Sequence, residues 1–280
     1  MTRLAWSSVL WLSLVVVGNG CMFGGNRPWT GPQSETLQLD PSTLASLDVR
    51  TDNGGIDFTG GAAGAPTVVA TKRACGGNAE DAELALKEIL VFVEPNGRGG
   101  QTIGWRWRRS SPPPAWGAEV SFAIRAPQRT DLVAETHNGD IDATGVAGSM
   151  RAVSHNGDIR VDARGPALDA VNHNGEINVV YDGPRVSLQS SNGTITAELA
   201  RCASLAGEIE SHNGAIIATI GPNTSADWVC RTANGEVRFE PPATNVSRTG
   251  TRFTGRTGAG GTSMTLNTHN GEIHVKAGRE

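Results

Sequence analysis

Five of the six histidines stand directly before an asparagine: His137, His155, His173, His212 and His269. Two residues after that asparagine comes an acid in five copies: Asp140, Asp158, Glu176, Glu236 and Glu272. Imidazoles and carboxylates at a recurring spacing are the ligand types of zinc and similar ions. A plainer source is a polar corner copied along with its repeat. Ser191 and Ala233 replace the histidine in two copies. No carboxylate or cysteine is placed consistently enough to complete a ligand set and orient it. The adopted reading is no metal and no cofactor. Calcium β-rolls need a Gly-Gly-x-Gly-x-Asp nonapeptide, whereas here the acid directly follows the glycine and precedes isoleucine.

Other chemistry is sparse. No Ser-His-Asp order, paired-carboxylate cleft or phosphate loop stands out, so no catalytic residue is assigned. The formal charge of −4 and the absence of a long basic run argue against nucleic acid as a partner. The most unusual stretch is Gly104-Trp105-Arg106-Trp107-Arg108-Arg109. On a strand it puts Trp105 and Trp107 on one face and the arginines on the other. Those tryptophans either enter the core or, with Trp116, form a platform for sugars or an anionic polymer.

The elements that position these residues are repeats. Asn-Gly recurs at Asn53-Gly54, Asn138-Gly139, Asn156-Gly157, Asn174-Gly175, Asn192-Gly193, Asn213-Gly214, Asn234-Gly235 and Asn270-Gly271. From Asn138 onward the spacings are 18, 18, 18, 21, 21 and 36. The last predicts a copy that has lost its signature around Ser247–Gly258. With each asparagine as position zero, position +3 is Ile in seven copies and Val237 in the eighth. Position +5 is small or apolar, from Phe58 to Val275, and position −4 runs Val49, Ala134, Ala152, Ala170, Leu188, Ile209, Cys230, Leu266. Position −2 is Thr or Ser in seven copies and Asn172 in the other. That alternation reads as strand, corner, strand. Asn-Gly is also the strongest hairpin signal, so a meander or open sandwich is the local alternative. A near-constant period with equivalent residues at equivalent positions favours stacked rungs. The expected fold is all-β: a β-solenoid or β-roll of about 18-residue, two-strand rungs, with isoleucines inside and the asparagines forming an amide ladder.

Upstream, Leu47–Phe58 matches one rung. Thr67–Lys72, Ile89–Glu94, Thr102–Arg108 and Glu119–Arg125 read as strands. "NAEDAELALKEIL" reads as the one short helix, capped by Asn78 with Asp81 at N3 and with Ala82, Leu84, Ala85 and Ile89 as its apolar positions. Residues 1–20 read as a signal peptide, with Arg3 ahead of the apolar run Leu10–Val17. Cys21 follows a small residue and is the expected lipidation site, although Gly18 stands where a lipobox usually has Leu. Residues 21–36 are expected to be a flexible tether and 37–280 one repeat-built domain. Cys75, Cys202 and Cys230 are expected to be small buried hydrophobes, with one disulfide allowed and at least one thiol free.

The repeated "NGDI/NGEI" copies from Asn138 to Ile273, with the upstream rung, helix and strands ending in "FAIRAP", resemble the putative adhesin domains of bacterial envelope proteins, which are related to auto-transporter adhesin heads. The resemblance spans roughly residues 40–277. It implies a β-helix-like fold and an envelope location, and supplies no catalytic residues. The expectation is a non-enzymatic, lipid-anchored protein of the bacterial cell envelope, in the membrane or periplasm or on the surface, presenting a surface for binding or adhesion. Its partners would be the membrane, through the lipid, and an envelope polysaccharide or another envelope protein. Two alternatives are an envelope-stress or antimicrobial-peptide sensing module and a polysaccharide-acting β-helix enzyme. A contiguous aromatic and acidic groove would favour the enzyme.

Overall fold

The computed structural model describes residues 27–61 and 64–278. The predicted signal peptide and Cys21 lie outside the described residues. Among the described residues there are 23 strands, one α-helix and one 3-10 turn. The strands form two mixed sheets of 11 and 12 strands, neither closed into a barrel.

Each repeat contributes one strand to each sheet. Met150–Asn156, Leu168–Asn174, Arg185–Asn192 and Ala206–Asn213 lie side by side in the 12-stranded sheet. Their partners after the corner, Ile159–Ala163, Ile177–Tyr181, Ile195–Leu199 and Ile216–Ile220, lie side by side in the 11-stranded sheet. A meander would pair successive strands antiparallel. Here the pairing is parallel and equivalent positions face each other: Ala152 opposite Ala170, Asn156 opposite Asn174, Ile159 opposite Ile177. Columns result, and two inner faces close on one core. Positions +3 and −4 are buried in all eight copies.

The corner requires glycine for two reasons. Gly175 has φ +139°, a region that L side chains rarely adopt. A Cβ there would also run into the carbonyl oxygen of Gly157 in the next rung. Gly214 and Gly271 lack the positive φ but would meet the neighbouring corner carbonyl in the same way. The contrast is Asn96-Gly97, where the same dipeptide turns an antiparallel hairpin between Ile89–Pro95 and Gln101–Trp107, with φ +72° at Gly97.

The N-terminal part extends both sheets. Ser46–Asn53 and Ile56–Gly60 form the first rung, stacked on Asp131–Asn138 and Ile141–Val146. Gly117–Ala126 and Thr67–Cys75 continue the smaller sheet, and the strands Gln101–Trp107 and Ile89–Pro95 end the larger one. The helix Ala79–Lys87 is capped by Asn78, whose side chain accepts from the Asp81 N–H at 2.8 Å. It buries Ala82, Ala85 and Leu86, whereas Leu84, expected on the apolar face, is half exposed.

Two further expectations are corrected, and the stacking order departs from the chain order. The Gly/Pro-rich tether predicted to reach residue 36 is already folded at Trp29, which bridges Cys75, and Gln33–Gln38 is an edge strand on Thr67–Lys72. Its alternation of exposed and half-buried residues is weak because an edge strand covers little core. The degenerate rung expected around Ser247–Gly258 is instead an antiparallel hairpin, Thr244–Thr249 with Arg252–Thr257, lying against the strand Ala226–Asn234. The repeats also do not stack in chain order. The last strand pair, Ser263–Asn270 and Ile273–Ala277, inserts between the Asn213 and Asn234 repeats. The hairpin holds the outer rung and the chain returns to fill the space beside it.

The two 21-residue spacings have one cause. Their extra residues follow Leu199 and Ile220 and stack on each other through a Ser204–Ser225 bridge. The Thr224 hydroxyl donates to the Cys202 carbonyl at 2.8 Å. Cys202 and Cys230 are buried free thiols, and burial pushes Cys230 up to about 12.

Candidate functional site

The eight corner asparagines form one unbroken amide ladder. Asn138 Nδ2 donates to Asn53 Oδ1 at 2.7 Å, Asn156 to Asn138 at 2.8 Å, Asn174 to Asn156 at 3.0 Å and Asn192 to Asn174 at 3.0 Å. Asn213 donates to Asn192 at 2.9 Å, Asn270 to Asn213 at 2.7 Å and Asn234 to Asn270 at 2.8 Å. The ladder follows the spatial order, with Asn270 between Asn213 and Asn234.

Two supports beside this ladder were not read from the sequence. The position −2 side chains donate inward to corner carbonyls: Thr136 to Gly54 at 2.9 Å, Ser154 to Gly139 at 3.0 Å, Asn172 to Gly157 at 2.8 Å and Thr268 to Gly214 at 2.9 Å. The Thr/Ser column was visible, and its inward alternation with −4 and −6 was the signal. The position +2 aspartates accept the backbone N–H of the next rung, Asp140 from Asp158 at 2.8 Å and Asp158 from Glu176 at 2.9 Å. They are corner braces as well as exposed charges.

The histidines fall in one column at position −1, at the edge of the larger sheet's outer face. Their spatial order is Asp52, His137, His155, His173, Ser191, His212, His269, Ala233, set by the strand order. Ring centroids are 4.6 Å apart for His137–His155, 4.4 Å for His155–His173 and 5.1 Å for His212–His269. These distances are the strand spacing of about 4.8 Å, imposed on the rings by the sheet. The rings of His155 and His173 are parallel to within 1°, so their in-plane lone pairs run side by side and do not converge on one ion. Among the described residues no group of three His, Cys, Asp or Glu is arranged to hold a metal. Burial, and then the charges of His173 and His137, hold His155 below its ordinary pKa. Burial holds the Asp52 carboxyl above the usual range, partly offset by His137.

Three troughs lie along the outer face of the 12-stranded sheet. The largest, 710 Å³, runs over Leu168–Asn174, Arg185–Asn192 and Ala206–Asn213, floored by small polar residues such as Ser187, Gln189 and Thr265. A 320 Å³ trough adjoins it beyond Arg151, which ion-pairs with Asp169. A 460 Å³ trough opens at the histidine column around Ser191. No Trp, Tyr or Phe lines any of the three.

The tryptophans lie elsewhere, at the N-terminal end. Trp105 and Trp107 are half buried against the core and meet edge to face at 5.6 Å. Trp116 is 5% exposed, packs on Trp107 and donates through Nε1 to Asp81 at 2.6 Å. The arginines around them are occupied: Arg106 pairs with Glu94 at 3.0 Å, and Arg109 pairs with Glu88 at 3.4 Å and lies over Trp116. Neither the tryptophans nor the arginines share a trough with the histidine column.

The fold and this face define an all-β chain of two long mixed sheets with one polar, grooved outer surface. No protein-family model matches it, and no curated protein does. Solved structures do. A putative adhesin from Bacteroides fragilis is 14% identical, with 88% of this chain and 97% of that one covered, at a TM-score of 0.44. A putative adhesin from Parabacteroides distasonis is 9% identical over 87% and 97%, at 0.43. A putative cell adhesion protein from Clostridium sporogenes is 10% identical over 89% and 100%, at 0.35.

Proposed function

We propose that this chain is a non-enzymatic, lipid-anchored protein of the bacterial cell envelope. Its repeats form a β-solenoid of two-strand rungs, and the outer face of its larger sheet binds an envelope polymer. The solenoid reading is supported by the parallel, position-for-position pairing of the repeats and the continuous asparagine ladder. The binding reading is carried by one observation: the three troughs described above line up on one face, each lined by a mixture of charged, polar and aliphatic residues. A long open trough with charged and polar side chains spaced along an aliphatic floor suits an extended polar chain bound by hydrogen bonds. A glycosidase that hydrolyses such a chain typically uses two carboxylates flanking the bond. In the largest trough Asp169 is held by Arg151, and Glu208 lies near Gln189.

The test is co-sedimentation of the purified protein with insoluble envelope polysaccharide, with released reducing ends assayed in the same tubes. Saturable binding without release is expected. Release of reducing ends in proportion to protein would move the chain to the enzyme class. The anchor is tested separately, by labelled palmitate on wild type and Cys21→Ser. Label in the wild type alone is expected, and no label in either protein would refute it.

A further inference from the structure

We infer that the break in the histidine column at Ser191 is a binding slot for a guanidinium group. The column is two stacks, His137–His155–His173 and His212–His269, separated by the single rung that carries Ser191. Stacked rings here repeat at the strand spacing. One missing ring therefore leaves the ring centres of His173 and His212 about 9.6 Å apart, two spacings of about 4.8 Å each. That gap admits one planar group about 4.8 Å from an imidazole centre on each side, within cation–π range. The 460 Å³ trough lies at this gap, lined by His173, Ser191, His212 and His269.

The surroundings select the planar group. No Lys or Arg lines the trough, and apart from the imidazoles its one charged lining residue is Glu210. Gln189 and Asn267 add amide oxygens along the floor. The site is thus rich in acceptors and flanked by two π-faces. A neutral aromatic ring would use the faces and leave the acceptors unanswered. An ammonium is a compact, strongly hydrated point charge that cannot lie flat between two rings. A guanidinium is flat, stacks on aromatic rings and carries five N–H donors, so it uses both. The inference stands whether or not the rest of the face binds polysaccharide.

The experiment uses full-length protein labelled with 13C at histidine Cε1, at pH 8. N-acetyl-arginine amide and the peptide Gly-Gly-Arg-Gly-Gly are titrated in parallel, with N-acetyl-lysine amide and N-acetyl-tyrosine amide as controls. Saturable shifts confined to His173 and His212 are expected for both arginine ligands at millimolar concentration. Equal affinities would assign the site to the free group, and at least tenfold tighter peptide binding would assign it to an arginine side chain on a partner. Ser191→His fills the gap and should abolish the shifts, while Ser191→Ala leaves it open and should retain affinity within about twofold. The inference is overturned if arginine shifts neither ring, if lysine or tyrosine amide does as well as arginine, or if Ser191→His binds as the wild type does.

Discussion

At the residue scale, the corner separates three adjacent positions by what each one touches. Gly175 stands at φ +139° with the Gly157 carbonyl against its missing Cβ. Gly175→Val should therefore cost about 2 kcal/mol or more. Ile177 is fully buried, and Ile177→Asp would strand a carboxylate between the sheets, at a cost on the order of 3–5 kcal/mol. The exposed Glu176 side chain makes one long hydrogen bond, from Asn178 at 3.4 Å, so Glu176→Lys should change stability by less than about 0.5 kcal/mol. Urea melts of the three variants check the order, and a Glu176→Lys more damaging than Ile177→Asp would reverse the inside and outside assignment. The histidine stack adds a pH term. The folded state holds His155 below 6.5, so it takes up that proton later than the unfolded chain does. This contribution is fully present above about pH 6.5 and is lost as pH falls from there toward the lowered folded value. Melting temperature should drop over that window, and His155→Gln should flatten the drop. An unchanged slope in the variant would show that the stack carries no such penalty.

At the element scale, the sequence disclosed what recurs and concealed what occurs once. The Ile and Ala columns, the Asn-Gly corners and the capped helix were legible because each rests on a local rule of side-chain alternation or capping. The Gln33–Gln38 strand was not, since an edge strand shows little burial alternation. Nor was the hairpin Thr244–Thr249/Arg252–Thr257 separable from a decayed repeat. Its residues keep strand-like composition, but Thr244–Thr249 is exposed throughout. The insertion of the last repeat is a long-range choice that no spacing encodes: 36 residues fit a skipped rung as well as a hairpin and return. It has a sharp test. Glu210 faces Asn267 across adjacent strands, whereas Arg231 lies one strand further on. The pair Glu210→Cys/Asn267→Cys falls within disulfide reach, and Glu210→Cys/Arg231→Cys, two strand spacings or about 9.6 Å apart, does not. Mild oxidation should cross-link the first pair and leave the second reduced. The opposite result would mean that the repeats stack in chain order.

At the scale of the whole molecule, the candidate site was legible in its residues and not in its shape. The histidine column, its break at Ser191 and the tryptophan strand could all be read. That the tryptophans would pack at one end while the troughs ran along the outer face of the neighbouring strands depends on how the sheets lie, which no local pattern states. The repeat is accordingly a folding device whose product is a surface. Its columns fix two long sheets, and one outer face is left grooved and polar. The most direct measurement compares binding of envelope polysaccharide by wild type and two surface variants. Ser187→Arg/Thr265→Arg fills the largest trough, and Asn178→Arg/Thr196→Arg places the same charge on the outer face of the smaller sheet, where Asn178 and Thr196 are half exposed. Both variants should melt within a few degrees of wild type, since all four positions face outward. The account predicts that only the first variant loses binding, by at least tenfold. Equal binding by all three proteins, or loss confined to the smaller-sheet variant, would contradict it.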